Sequence, residues 1–375
     1  MTSLPTFDPG FCTARSRSIF GAERRVAALL EVEAALARAQ ASAGLVPADA
    51  VAAIGEACAR EALDAAGILE DGWYAGSVAV PLLEAMRARL PPSAARFLHL
   101  GATTQDLVDT ATMLQAREGI DAVAQDLERV ARRCRELARE HRATPAQGRT
   151  FLQPAVATTF GHRVAGWLVA ASSARRQLAG TRAALPLQLG GPAGHLGRMG
   201  TEGPRIRAEL AAALGLRAPI LAWHTDRQPV RDVVAALSSA SACAAKIALD
   251  LVLLVQAEVA EIRVRAGRSS SMAHKANPVD ALRALAAHEA FQGVSSVVAR
   301  GNPQALERGW GAWHAESLAV PLVFHTAAAA VAAAAVALEG LEVDASRMAA
   351  NLRAGGAESL DAAIAEVDRV LGRDT

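Results

Sequence analysis

Apolar residues along the chain recur at helical rather than strand spacing. Residues 232–264 form a 33-residue run without glycine or proline, and within it Leu237, Ala240, Ala244, Ile247, Leu251 and Leu254 fall three and four apart. That spacing keeps one face of a helix buried, and a helix of this length extends about 50 Å at 1.5 Å per residue. Segments 15–43, 105–142, 156–184 and 279–300 predict further long helices, while period-two alternation is scarce. Alanine-rich faces let such helices approach closely. The pattern predicts an all-α protein: an N-terminal helical domain over 1–98, an elongated central bundle of long helices over 99–340, and a short C-terminal helical remnant over 341–375.

One segment is apolar enough to be read as a membrane span. Residues 319–338, AVPLVFHTAAAAVAAAAVAL, hold no acid or base other than His325. Their alanines are only mildly hydrophobic, and neither an aromatic belt nor flanking Lys/Arg asymmetry accompanies them. A helix apolar all round is equally one buried by other helices, and that is the expectation here. The first twenty residues lack a charged start followed by a continuous apolar stretch, so a cytoplasmic protein is expected, with no membrane partner.

At 375 residues the chain exceeds the size at which one core usually stops growing, which fits two or three structural units. A formal net charge of +1 and the lack of a clustered basic run argue against nucleic acid as a partner and leave small acidic ligands open. Cys12, Cys58, Cys134 and Cys243 are widely separated and make no CxxC or Cys/His pattern, so reduced thiols and no metal site are expected.

Polar residues gather in four irregular segments. In HLGATTQD, residues 99–106, Thr103 is a natural N-cap with Asp106 at N3, and a helix start offers free N–H groups to a carboxylate. Capping leaves His99 unexplained. In GRTFLQP, residues 148–154, Pro154 reads as the first helical position. QLGGPAG, residues 188–194, lacks the strand and spacing of a phosphate-binding loop. WHTDR, residues 223–227, sets His224 and Arg227 beside Trp223 just before the 33-residue run, where a surface cap is the default.

A fifth segment, SSSMAHKANP at 269–278, is unusual for this chain. Only Lys246 and Lys275 are lysines among 39 basic residues, and Asn277 is one of three asparagines. Asn277 followed by Pro278 reads as an N-cap with proline at N1. That accounts for neither the lysine nor the serines. A lysine supplies a compact mobile charge that an arginine fork does not imitate. No GxSxG elbow surrounds Ser269 or Ser270, so a serine moving a proton, its alkoxide stabilised by Lys275, fits better than an acyl-enzyme.

Taken in order, these segments resemble the fumarase/aspartase superfamily, whose signature loop is GSSxMPxKxNP. HLGATTQDLVDT, GRTFLQPA, LQLGGPAGHLG, WHTDR and ERGWGAWHAE are most similar to the branch of cycloisomerases acting on 3-carboxy-cis,cis-muconate in aromatic-compound degradation. The resemblance implies a homotetramer with active sites built from loops of three subunits, a small polycarboxylate substrate and no cofactor. It places Ser269 as the proton-transfer residue, Lys275 and Asn277 as its substrate-binding pair, Thr103, Thr104 and Gln153 as carboxylate-binding groups, and His99 at the family's first-loop imidazole. Ser270 belongs to the same closing loop, and Arg268 and Arg227, with His224 beside the latter, are candidate carboxylate clamps.

Phe151 occupies the place where superfamily lyases that expel nitrogen groups carry a histidine, which favours lactone formation over release of fumarate from a succinyl-amine. A catalytically silent scaffold is the third alternative. Arg268, Ala273 and His195 depart from the family pattern, and the chain ends soon after NLRAGG, so a truncated C-terminal domain is expected.

Overall fold

The computed structural model describes residues 9–59, 63–265, 267, 276–353 and 360–373. Six helices come first: α1 (Ala14–Phe20), α2 (Ala22–Ser42), α3 (Ala48–Ala59), α4 (Ala65–Tyr74), α5 (Ala79–Arg87) and α6 (Pro92–Ala95). The long helix α7 (Thr104–Glu140) follows, then the antiparallel hairpin β1 (Pro145–Thr150) and β2 (Gln153–Thr159), then α8 (Phe160–Ala184) and α9 (Gly203–Leu214). Next come α10 (Gln228–Val255), β3 (Ile262–Arg263), α11 (Val279–Arg300), α12 (Ala312–Glu339), β4 (Glu342–Val343), α13 (Ala345–Ala350) and α14 (Asp361–Leu371), with β3 and β4 paired antiparallel.

Helices α7, α8, α10, α11 and α12 form the bundle. Helix α7 packs on α8 and α12, and α10 lies against α8, α11 and α12. Small residues set the spacing: a Cβ on Gly119 of α7 would lie 2.5 Å from the Phe324 ring of α12, so the two helices need glycine at that crossing. The apolar stretch 319–338 lies within α12 and is mostly buried, its alanines at 327–330 and 333–335 nearly closed to solvent. Buried apolar side chains from Val26 of α2 to Val367 of α14 make one continuous core. Cys12, Cys134 and Cys243 are buried and Cys58 is half-buried, none of the four in a disulfide.

The helix starting at Val279 and ending at Arg300 matches its expected span, and Thr103 is the N-cap of α7 as its sequence predicts. Other boundaries differ, each for a visible reason. The 15–43 segment breaks at Gly21, whose extended backbone ends α1 and starts α2. Residues 153–159 are a strand, so Pro154 sits in β2 and not at a helix start. Helix α11 is capped at Pro278, one residue later than the Asn277 cap expected.

The run 232–264 stops being helical at Val255 although no glycine or proline intervenes. Ala260 takes φ 51°, and Glu261, fully buried, turns inward to accept from Arg149 Nη2 at 2.5 Å and Nη1 at 3.1 Å and from Asn351 Nδ2 at 3.0 Å. A buried carboxylate needs such partners, and that requirement overrides local helix preference.

Candidate active site

One end of the bundle is organised by Asp106, in the first turn of α7 and 2% exposed. Its Oδ2 accepts from the backbone N–H of Thr103 at 3.0 Å and of Gly191 at 2.8 Å. Its Oδ1 accepts from the N–H of Gly190 at 2.9 Å and from His224 Nε2 at 2.7 Å. One carboxylate thus ties loops 99–106, 188–194 and 223–227 together. The glycines are required: a Cβ on Gly190 would lie 2.5 Å from Ala222 Cβ, and one on Gly191, at φ +72°, 2.6 Å from the Gly101 carbonyl. Thr103 and Thr104 are half-buried at the start of α7, where N–H groups face outward.

His99 enters this end from the left-handed region at φ 60°, and its Nδ1 lies 2.5 Å from Glu33 Oε1 on α2. Burial pulls the imidazole pKa down, yet the charge and hydrogen bond of Glu33 outweigh it, and the net shift is upward.

His224 and Arg227 do not stand open to a substrate, contrary to expectation. His224 is 3% exposed and committed to Asp106. Arg227 is 1% exposed; its Nη1 and Nη2 reach Asp109 at 2.8 and 2.9 Å, its Nε and Nη2 reach Glu316 at 3.0 and 2.5 Å, and the guanidinium lies 4.8 Å from the Trp223 ring centre. With its fork occupied by two core carboxylates, Arg227 is a structural ion pair and not a substrate clamp. Burial pushes Asp109 upward, but Arg227 and the Trp313 and Gln188 donors prevail and its pKa is lowered; Glu316, where burial dominates, stays raised.

The opposite end carries the β1–β2 hairpin. Phe151 and Leu152 form its turn at φ 50° and 61°; Phe151 is fully exposed, and Gln153, opening β2, is exposed beside it. The base is fixed by Glu261 through Arg149 and by Gln147, whose Nε2 donates to the carbonyls of Gly148 and Ala155. At this same end Gly267 N–H donates to the Asn277 carbonyl at 2.9 Å, and Asn277 is half-buried. Ser269, Ser270, Lys275 and Arg268 lie outside the described residues.

The two sets of groups are far apart in one chain. Thr103 caps the start of α7, β1 begins shortly after its last residue Glu140, and 37 residues of α-helix extend about 55 Å. His99, Thr103 and Thr104 therefore sit at one end, Gln153 and Asn277 at the other. Among the described residues no three His, Cys, Asp or Glu side chains converge as a metal site requires.

Glu33 and Glu261 escape sequence reading as site components. Glu33 had a signal: Val26, Leu29, Glu33, Leu36 and Gln40 continue one buried stripe of α2, so a charged residue sits where the helix faces the core.

Comparison with known proteins places this architecture. Residues 12–292 match the family model described as Lyase. The chain is 39% identical over 363 residues to 3-carboxy-cis,cis-muconate cycloisomerase of Pseudomonas aeruginosa, covering 94% of this chain and 79% of that protein. It is also 39% identical over 357 residues to nitrosuccinate lyase of Streptomyces davaonensis, covering 91% and 75%. The crystal structure of 3-carboxy-cis,cis-muconate lactonizing enzyme from Pseudomonas putida superposes with a TM-score of 0.87 at 36% identity over 97% of this chain and 86% of that one. With the long-helix bundle, the family match over residues 12–292 and these relatives in agreement, the chain belongs to the fumarase/aspartase family of lyases.

Proposed function

We propose that this protein is a cofactor-independent cycloisomerase that closes 3-carboxy-cis,cis-muconate to a carboxymuconolactone. Phe151 carries this reading. It is fully exposed at the tip of the hairpin, where superfamily members that expel nitrogen groups hold a histidine. In lactone formation the group that adds or departs is a carboxylate, stable as an anion at neutral pH because its pKa is about 4, so no acid is needed there. Similarity to the Pseudomonas aeruginosa cycloisomerase supports the same substrate.

In this reaction a substrate carboxylate oxygen bonds to an alkene carbon, the π electrons move toward the adjacent carboxyl group as an enediolate, and the neighbouring carbon takes a proton. Atoms and charge balance without an oxidant, a reductant or a metal. Ser269 delivers the proton, or removes it in reverse. Lys275, with N–H and hydroxyl donors, stabilises the enediolate. Thr103, Thr104, Gln153, Ser270, Asn277 and Arg268 hold carboxylates, and His99 faces the substrate from the first loop. Since about 55 Å of helix separates Thr103 from the hairpin, a complete site takes its loops from different copies of the chain, in a homotetramer. We assign the enzyme to the cytoplasm.

A second reading is favoured by the equal identity to a nitrosuccinate lyase. Elimination from nitrosuccinate would also release a stable anion, so Phe151 does not exclude it. The deciding experiment follows ultraviolet absorbance of purified protein with 3-carboxy-cis,cis-muconate, alongside Ser269→Ala. Loss of the diene with wild type but not with the variant is expected. An intact diene together with fumarate formed from nitrosuccinate would replace the cycloisomerase by the lyase.

A further inference from the structure

We propose that Glu33 of α2 is a positioning residue for the reaction, fixing Nδ1 of His99 as the nitrogen it binds and leaving Nε2 as the donor presented to the substrate. The inference rests on the place of His99 in the site assigned above. Glu33 lies in neither the first loop nor the bundle, and nothing in the motif pattern assigns it a role.

Three observations carry it. The carboxylate is 2% exposed, and its Oε1 lies 2.5 Å from His99 Nδ1, a short charge-assisted contact. His99 reaches it from a left-handed backbone, a conformation that a non-glycine residue holds only where its surroundings over-determine it. Finally, His99 Nε2 is buried and has no hydrogen-bond partner among the described residues. Glu33 Oε2 and Gln40 Oε1 close by are likewise buried without a partner, so polar capacity at this spot is left unspent around His99, as a site awaiting a polar ligand requires.

The chemistry follows from the tautomer. With Nδ1 donating to a carboxylate, a neutral ring has an unprotonated Nε2, while a charged ring donates from both nitrogens. The groups facing the imidazole decide between the two forms. Glu33 from α2 and Asp106 from α7 favour the cation, whereas Arg87 at the end of α5 and burial oppose it; the upward net shift favours the cation. Glu33 also acts on the Cys58 thiol of α3, which burial and then the Glu33 charge push up to about 12 against the pull of Arg38, so it stays neutral. An imidazolium whose Nε2–H is unspent suits a polycarboxylate substrate, whose charge grows on one carboxyl group in the transition state. Glu33 is thus the fixed counter-charge that keeps the ring oriented and protonated, in the manner of the carboxylate that orients a catalytic histidine in hydrolase triads.

The test uses the full chain. Exchange of the imidazole Cε1 hydrogen for deuterium, followed by mass spectrometry across pH, reports the midpoint of each of the nine histidines separately. In wild type the His99 midpoint should lie above the ordinary value of about 6.5. In Glu33→Gln it should move down, kcat/KM should fall roughly 10- to 100-fold, and the loss should deepen as pH rises. Glu33→Asp should recover part of both. A wild-type His99 midpoint at or below the ordinary value overturns the proposal, even if Glu33→Gln fails to fold. So does a Glu33→Gln protein with an unshifted midpoint and an unchanged pH profile. If instead the midpoint behaves as expected while wild type turns over no substrate, Glu33 still sets the charge of His99 and the assigned reaction is what fails.

Discussion

Arg227 and Asp109 meet through two parallel N–H···O bonds of 2.8 and 2.9 Å in a part of the core where both side chains are 3% exposed or less. Removing the guanidinium leaves two carboxylates, Asp109 and Glu316, facing each other in a dry setting without their shared cation. Arg227→Met should cost about 3–5 kcal/mol in denaturant unfolding. Arg227→Lys should recover little of it, because one ammonium cannot serve two carboxylates in the geometry of the fork. A loss below about 1 kcal/mol in the methionine variant would show the pair to be dispensable.

Asp106 accepts from four donors on three loops. Asp106→Asn keeps the volume but turns an NH2 group toward backbone N–H groups that need an acceptor. The expected cost is about 1–3 kcal/mol by thermal unfolding, accompanied by a larger relative drop in kcat/KM because the first loop loses its anchor. Unchanged turnover with lowered stability would restrict Asp106 to folding alone.

Gln153 is exposed on the hairpin, so Gln153→Ala should alter stability by less than about 0.5 kcal/mol. Turnover should nonetheless be lost, and likewise in Thr104→Ala at the far end of α7. Co-refolding the two inactive variants should restore measurable diene consumption, since a mixed assembly contains sites with neither lesion. A mixture as inactive as its components would mean that each site is contained in one chain.

His325 is buried in α12, with its Nδ1 2.9 Å from Ser16 Oγ, and burial together with Arg17 lowers its pKa to about 4. A histidine whose folded pKa lies below the unfolded value keeps its full contribution to stability above about pH 6.5, because both states are then neutral. The unfolded chain binds the proton first as pH falls, so stability is lost progressively between pH 6.5 and about 4. Melting temperature followed over that window should fall less steeply in His325→Asn. Parallel curves for the two proteins would remove His325 as the titrating group.

Long periodic helices and caps were legible in the sequence because their determinants are local. The span from Val279 to Arg300 and the Thr103 cap follow from apolar spacing and residue type within a few positions. What sequence concealed was set by distant partners. The hairpin over Pro145–Thr159 carries little strand alternation, and its Pro154 reads naturally as a helix start; it is held in place by Glu261, more than a hundred residues onward. Arg227 and His224 look like surface groups beside a helix start until Asp109, Glu316 and Asp106 are brought against them. Glu33 passes for one more charge on an amphipathic helix, although its place in a core-facing stripe distinguishes it.

The length of α7 also has a kinetic meaning. Thr104 and Gln153 ride at opposite ends of a 37-residue rod, so if both serve one site, as proposed, an isolated copy holds no working centre. On the shared-site assignment the catalyst's rate at high dilution falls faster than in proportion to protein added, and after dilution it decays with time as copies separate. The gene product then acts as a threshold device, silent while scarce and fully effective only above the concentration at which its copies associate.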